Sequence, residues 1–114
     1  MQTAEQALAR AEALVNKAFT LTGEVKLLPL AMNELEKCWD CINKERTIPA
    51  EFQKTYKEIK ELQKAKKTSA IEFKRKERLI VCSDAYKINA FEGKKIEKYI
   101  KTTKTLLNGI KTHA

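Results

Sequence analysis

Apolar residues recur along this chain at the spacing of helices. Leu8, Ala11, Val15, Ala18 and Phe19 form a first stripe, as one face of a helix turned toward a core would. Thr3 and Gln6 precede it with the spacing of a capping box, in which each side chain satisfies a backbone amide of the first turn. Gly23 marks the predicted stop, because glycine takes the left-handed position after a helix at no steric cost. Leu28, Met32, Leu35, Trp39 and Ile42 then step by four, three, four and three residues, a second amphipathic stripe. Pro29 falls in the first turn of that helix, where its missing N–H does no harm. A start near Glu24 would instead kink the helix at Pro29.

Thr47-Ile48-Pro49 opens a third helix, with Phe52, Tyr56, Ile59 and Leu62 as its buried face. Lys64-Ala65-Lys66-Lys67 follows and is hard to bury. Ser69 and Glu72 read as another capping box, which predicts a fourth helix from about Ala70. No Gly or Pro separates the two, so one long helix is the alternative. Between Leu79 and Phe91 the chain is apolar almost all round, the pattern of a helix central to a bundle. Leu79-Ile80-Val81-Cys82 also fits a short buried strand, but the helical reading leaves it no partner strand. Gly93 ends that segment. The last helix runs from about Lys94 to Lys111, with Ile96, Tyr99, Ile100, Thr103, Leu106, Leu107 and Ile110 inside. The expected fold is all-α: one domain over residues 1–114, an antiparallel helical bundle of four to five helices with short loops.

Composition agrees with a single globular domain. The chain has 114 residues, 43% hydrophobic and 33% charged, enough to bury one core without a covalent staple. Three Gly and two Pro leave little material for tight turns. No run approaches the roughly 18 apolar residues that cross a bilayer. Residues 1–10 lack a basic segment followed by an apolar one, so a cytoplasmic location is expected. The three cysteines are an odd number without dense spacing, unlike a secreted disulfide scaffold.

Charge changes the picture more. The net charge is +8, and it is unevenly placed. Residues 1–45 carry five basic and seven acidic groups, whereas residues 46–114 carry eighteen basic and eight acidic. A one-sided positive field attracts anionic partners. The basic residues are nineteen Lys and four Arg. Lys is a mobile point charge, whereas Arg is the planar fork suited to reading bases, so the bias speaks against sequence-specific recognition.

Catalytic chemistry finds few participants. Cys38-Trp39-Asp40-Cys41 is a Cys-x-x-Cys, but it falls late in a predicted helix with no strand before it. A redox pair wants a helix N-terminus, where the dipole lowers a thiol pKa. A zinc site would have to recruit Cys82 and the penultimate His113. Packing of Cys38 beside Trp39, with Cys41 at the edge, is the simpler expectation. His113 is the only histidine, which leaves acid–base catalysis without its usual participant. Glu34, Glu36 and Asp40 read as a solvated helix face. Phosphate-binding loops, zinc-protease motifs and nucleophile elbows are absent from the sequence. The expectation is a binding protein, not an enzyme, with no cofactor, metal or small-molecule substrate.

The basic segment is the candidate for binding. Lys60, Lys64, Lys66, Lys67, Lys74, Arg75, Lys76 and Arg78 lie within nineteen residues that hold three carboxylates. On a helix the charges from Lys74 to Arg78 would point nearly all round, which predicts an exposed helix–turn–helix tip. Phosphates would bind it by counterion release, with Phe73 placed to stack on a base. Lys94, Lys98, Lys101 and Lys104 form a second basic stripe on the last helix. That stripe resembles a membrane-surface helix, but its apolar side is needed for the core, which disfavours a membrane partner. The expected partner is therefore nucleic acid. The alternative is an adaptor, inhibitor or assembly subunit that meets an acidic or apolar protein surface. A partner groove would expose apolar residues; a nucleic-acid face would expose Lys and Arg with few large apolar groups.

Overall fold

Four helices and a three-stranded antiparallel sheet make up residues 2–112, the part of the chain that the computed structural model describes. Helix α1 (Gln2–Glu12) continues through a π-helical segment, Ala13–Phe19, and a last turn, Thr20–Thr22. It already runs at Gln2, so Thr3 lies inside the helix and not at its cap. Gly23 closes it with φ of 66°, and the Gly23 amide donates to the Phe19 carbonyl at 2.7 Å. Helix α2 (Leu27–Glu45) carries Pro29 in its first turn, and helix α3 (Ala50–Lys67) follows Pro49. Strands β1 (Ile71–Arg75), β2 (Arg78–Cys82) and β3 (Ile88–Glu92) form a meander in the order β1-β2-β3. Helix α4 (Gly93–Thr112) starts directly after β3.

The fold is therefore mixed α and β, and the all-α expectation is corrected. Residues 70–92 do not form the predicted fourth and central helices. Ser69 and Glu72 do not cap a helix: the Ser69 hydroxyl donates to the Lys66 carbonyl at 2.9 Å, and the Glu72 carboxylate pairs with the Lys66 ammonium at 2.7 Å. Helix α3 stops at Lys67, which also removes the single long helix. The apolar run from Leu79 is a buried strand, and it does have partners. Phe73 pairs with Ile80 and Ile80 with Ala90; Leu79 pairs with Phe91.

The core lies among the helices. Leu28, Met32, Leu35, Trp39 and Ile42 of α2 are all fully buried, as the stripe predicts. Ile96, Tyr99, Ile100, Leu106 and Leu107 of α4 are buried beside them, so the apolar side of that basic helix is spent on the core. Trp39 is the centre. Its indole N–H donates to the Thr103 hydroxyl at 2.8 Å, which donates in turn to the Tyr99 carbonyl at 2.7 Å. The Tyr56 ring stacks on Trp39 at 5.8 Å between centroids. A buried indole N–H without an acceptor would cost about 1–3 kcal/mol, so Thr103 fixes how α4 sits against α2. Only Leu79, Val81 and Phe91 of the sheet join this core.

Candidate binding surface

The register of the sheet sorts its side chains onto two faces. Alternate residues of a strand point to opposite sides, and directly paired residues share a side. Leu79, Val81 and Phe91 face the helices, together with Glu72, Lys74 and Asn89. The outer face therefore holds three rows across the strands: Ile71–Cys82–Ile88, then Phe73–Ile80–Ala90, then Arg75–Arg78–Glu92.

The first two rows are apolar and largely uncovered. Ile71 is 61% exposed, Phe73 44% and Ile88 67%. Ile80, at the centre, is only 9% exposed yet lies outside the helical core; its own neighbours on the face shelter it. Tyr86, 91% exposed with φ of 63°, stands in the five-residue loop beyond the first row. That loop is held by the Ser83 amide donating to the Lys87 carbonyl at 3.0 Å and the Tyr86 amide to the Ser83 carbonyl at 3.0 Å.

The third row and the β1–β2 turn form a cationic border. Lys76 opens that two-residue turn with φ of 58°, a conformation ordinarily left to Gly or Asn. Arg75, Lys76 and Arg78 frame a recess of about 200 Å³ against Ile80. Arg78 pairs with Glu92 at 3.1 Å. Among the described residues, Lys74, Arg75 and Lys76 make no ion pair. All residues from 71 to 78 are exposed, but on a β-hairpin and not on the helix–turn–helix tip that the sequence suggested.

The remaining basic residues are dispersed, and several are spent on the fold. Lys60 reaches Asp40 at 2.8 Å and Glu36 at 3.3 Å, with its ammonium 5.6 Å from the Tyr56 ring centroid. Burial draws its pKa down, yet the Asp40 and Glu36 carboxylates outweigh that and leave it raised. Tyr56 donates to Asp40; burial first, and that hydrogen bond second, push its pKa up to about 12. Lys66 is tied to Glu72, and Lys104 pairs with Glu12 at 2.7 Å. Lys64 lines one recess with Ser83, Lys87 and Asn89. Lys67 lines another of about 500 Å³ with Lys26, Lys66 and Gln63.

The two basic stretches meet beside the β1–β2 turn. Lys76, Arg78 and Lys94 line a recess of about 740 Å³, but Glu77, Glu92 and Glu97 line it too. Lys98 and Lys101 continue along α4, exposed. Lys64, the pair Lys66 and Lys67, and the set Lys76, Arg78 and Lys94 thus line different recesses. Sequence reasoning placed Phe73 among the charges but missed Ile71 and Ile88 as exposed residues of the same sheet face. The alternation Ile71-Glu72-Phe73-Lys74 was the available signal.

The cysteines do not converge. Cys38 is fully buried, Cys41 half-buried on the same helix, and Cys82 half-buried on the sheet; all three are free. Burial, then the neighbouring Cys41, pushes the Cys38 thiol up to about 12, opposite to what a nucleophile needs. Among the described residues no three of His, Cys, Asp and Glu gather as a metal site, and His113 lies outside those residues. No described helix is long and apolar enough to cross a membrane. Compared with protein-family models, curated proteins and solved structures, the chain matches none.

Proposed function

We propose that this chain is a non-enzymatic, cytoplasmic binding module that docks an acidic protein partner on the outer face of its sheet. The observation that carries this reading is the apolar patch of Ile71, Phe73 and Ile88 beside the unpaired Arg75 and Lys76. An exposed apolar patch with a polar rim is the mark of a protein-interaction surface. Aromatic and Arg residues are the usual anchors of such surfaces. The eighteen basic groups of residues 46–114, against eight acidic ones, favour acidic partners through steering and register.

Nucleic acid is the second reading, favoured by Phe73 among Lys74, Arg75 and Lys76. It has less support. Bases would find one aromatic ring and three isoleucines on the sheet face, and with Lys60, Lys66, Arg78 and Lys104 already paired, phosphates beside it would be left with Arg75 and Lys76.

The test is affinity capture from the cells that make the protein, with native chain and a Phe73→Asp/Ile88→Asp variant as baits, before and after nuclease. Both side chains lie outside the helical core, so the variant is expected to stay folded, which circular dichroism and Tm check. A protein held by the native chain, lost with the variant and indifferent to nuclease is the expected result. Capture that disappears with nuclease would transfer the face to nucleic acid. Identical capture by both baits would remove the sheet face from the function altogether.

A further inference from the structure

The size and edges of the outer face restrict what can occupy it. Three strands about 4.8 Å apart and five residues long, at about 3.4 Å per residue, present a face of roughly 200–300 Å². A stable folded interface buries about 800 Å² on each partner. A second copy of this chain, or any broad globular surface, would have to take most of its contact from outside this patch, whereas a single helix matches its dimensions. Pairing along the open edge of β1 is also discouraged. Its inward side chains are Glu72 and Lys74, and charges turned inward on an edge strand are a known guard against strand addition. Lys66 holds Glu72 at 2.7 Å, which fixes that guard in place.

We infer that the occupant is a short, amphipathic, acidic helix of the partner, about three turns long, laid along the strands over Ile71, Phe73, Ile80 and Ile88. This rests on the protein-docking reading above. Three turns rise about 16 Å, close to the length of a five-residue strand at about 17 Å. Side chains at i and i+4 on a helix lie about 6 Å apart, and those at i and i+2 on a strand about 7 Å, so apolar anchors of the two elements can interleave. Ile80 supplies the buried floor, Phe73 and Ile88 the walls. Carboxylates of the helix meet Arg75 and Lys76, the cations of the border that have no acidic partner of their own. Helix-in-groove recognition with i, i+4 anchors is a general mode of peptide binding.

The probe is a phage-displayed library of random 14-residue peptides, selected on the full native chain and counter-selected on the Phe73→Asp chain. The enriched peptide is then synthesised and titrated by fluorescence anisotropy, beside a fifteen-residue oligothymidylate and sedimentation of the chain alone. Enriched sequences should place apolar residues at i and i+4 with Asp or Glu between them. Their affinity should fall at least tenfold with Phe73→Asp or Ile88→Asp, and severalfold with Arg75→Glu. Circular dichroism should show each variant folded, with a Tm within several degrees of the native chain. Enrichment of sequences without acidic residues, or equal binding to Phe73→Asp, would overturn the inference. So would tighter Phe73-dependent binding of the oligonucleotide, or a dimer abolished by Phe73→Asp. If affinity capture returns a Phe73-dependent protein while no peptide is enriched, the docking face stands and the helical occupant falls.

Discussion

Trp39 and Phe73 are both large aromatics, and the two regions of the molecule treat them oppositely. Trp39 is fully buried among α2, α3 and α4, stacked on Tyr56 and hydrogen-bonded to Thr103. Phe73 sits 44% exposed on a hairpin whose first strand has no buried residue. The helical layer is built for stability, and the sheet joins its apolar core through three side chains, Leu79, Val81 and Phe91. Stability and recognition are thereby separated. The outer face can change without disturbing the core, because the core does not reach it.

Truncation should break this contrast open, most strongly at the centre. Trp39→Ala should cost about 3–5 kcal/mol and leave the domain largely unfolded, as urea denaturation followed by circular dichroism would show. Phe91→Ala removes the largest sheet anchor and should cost about 3 kcal/mol or slightly more. Hydrogen exchange should then show β1 and β2 amides losing protection before those of α2. Thr103→Val keeps the shape but deprives the indole N–H of its acceptor, for about 1–3 kcal/mol in the same denaturation assay. Lys76→Gly relieves a left-handed φ and should be neutral or stabilising by up to about 1 kcal/mol. Phe73→Ala removes the cross-strand neighbour of Ile80 and should cost only about 0.5–1 kcal/mol, while weakening partner capture.

Alkali offers a further separation. Cys38, Tyr56 and Lys60 all hold their protons more tightly folded than unfolded. Stability from such groups is complete below their unfolded values, 9.0 for the thiol and 10.0 for the phenol, and is lost as pH rises toward their folded ones. Tm should therefore fall between pH 9 and 12. All three groups lie in the helical layer. A Cys38→Ala variant should begin that decline at higher pH.

The helical layer was legible because its stripes are long and unbroken. Leu28 to Ile42 and Ile96 to Leu107 keep their period over several turns, and Gly23 has the left-handed φ its position implies. The sheet was hidden by three local coincidences. Ser69 and Glu72 have capping-box spacing, although both side chains turn back to Lys66. The β1–β2 turn is Lys76-Glu77, without the Asn or Gly that announces a hairpin. The run Leu79-Ile80-Val81 is apolar on both faces, so it shows no period at all. Ser83-Asp84 was a usable turn signal, and with it the β2–β3 connection could have been read. The basic residues were found, but which of them already had carboxylate partners depends on distances across elements, such as Lys60 to Asp40 and Lys104 to Glu12.

The bond between Trp39 and Thr103 joins residues 64 positions apart. At a synthesis rate of about 5–20 residues per second, a ribosome takes roughly 3 to 13 seconds to make the acceptor after the donor. For most of that interval α1 and α2 have been made but Ile96, Tyr99, Ile100 and Leu106, which close the core over them, have not. The nascent chain therefore holds a tryptophan whose hydrogen-bond acceptor is not yet made, and its core closes only once α4 is free to fold back over α2.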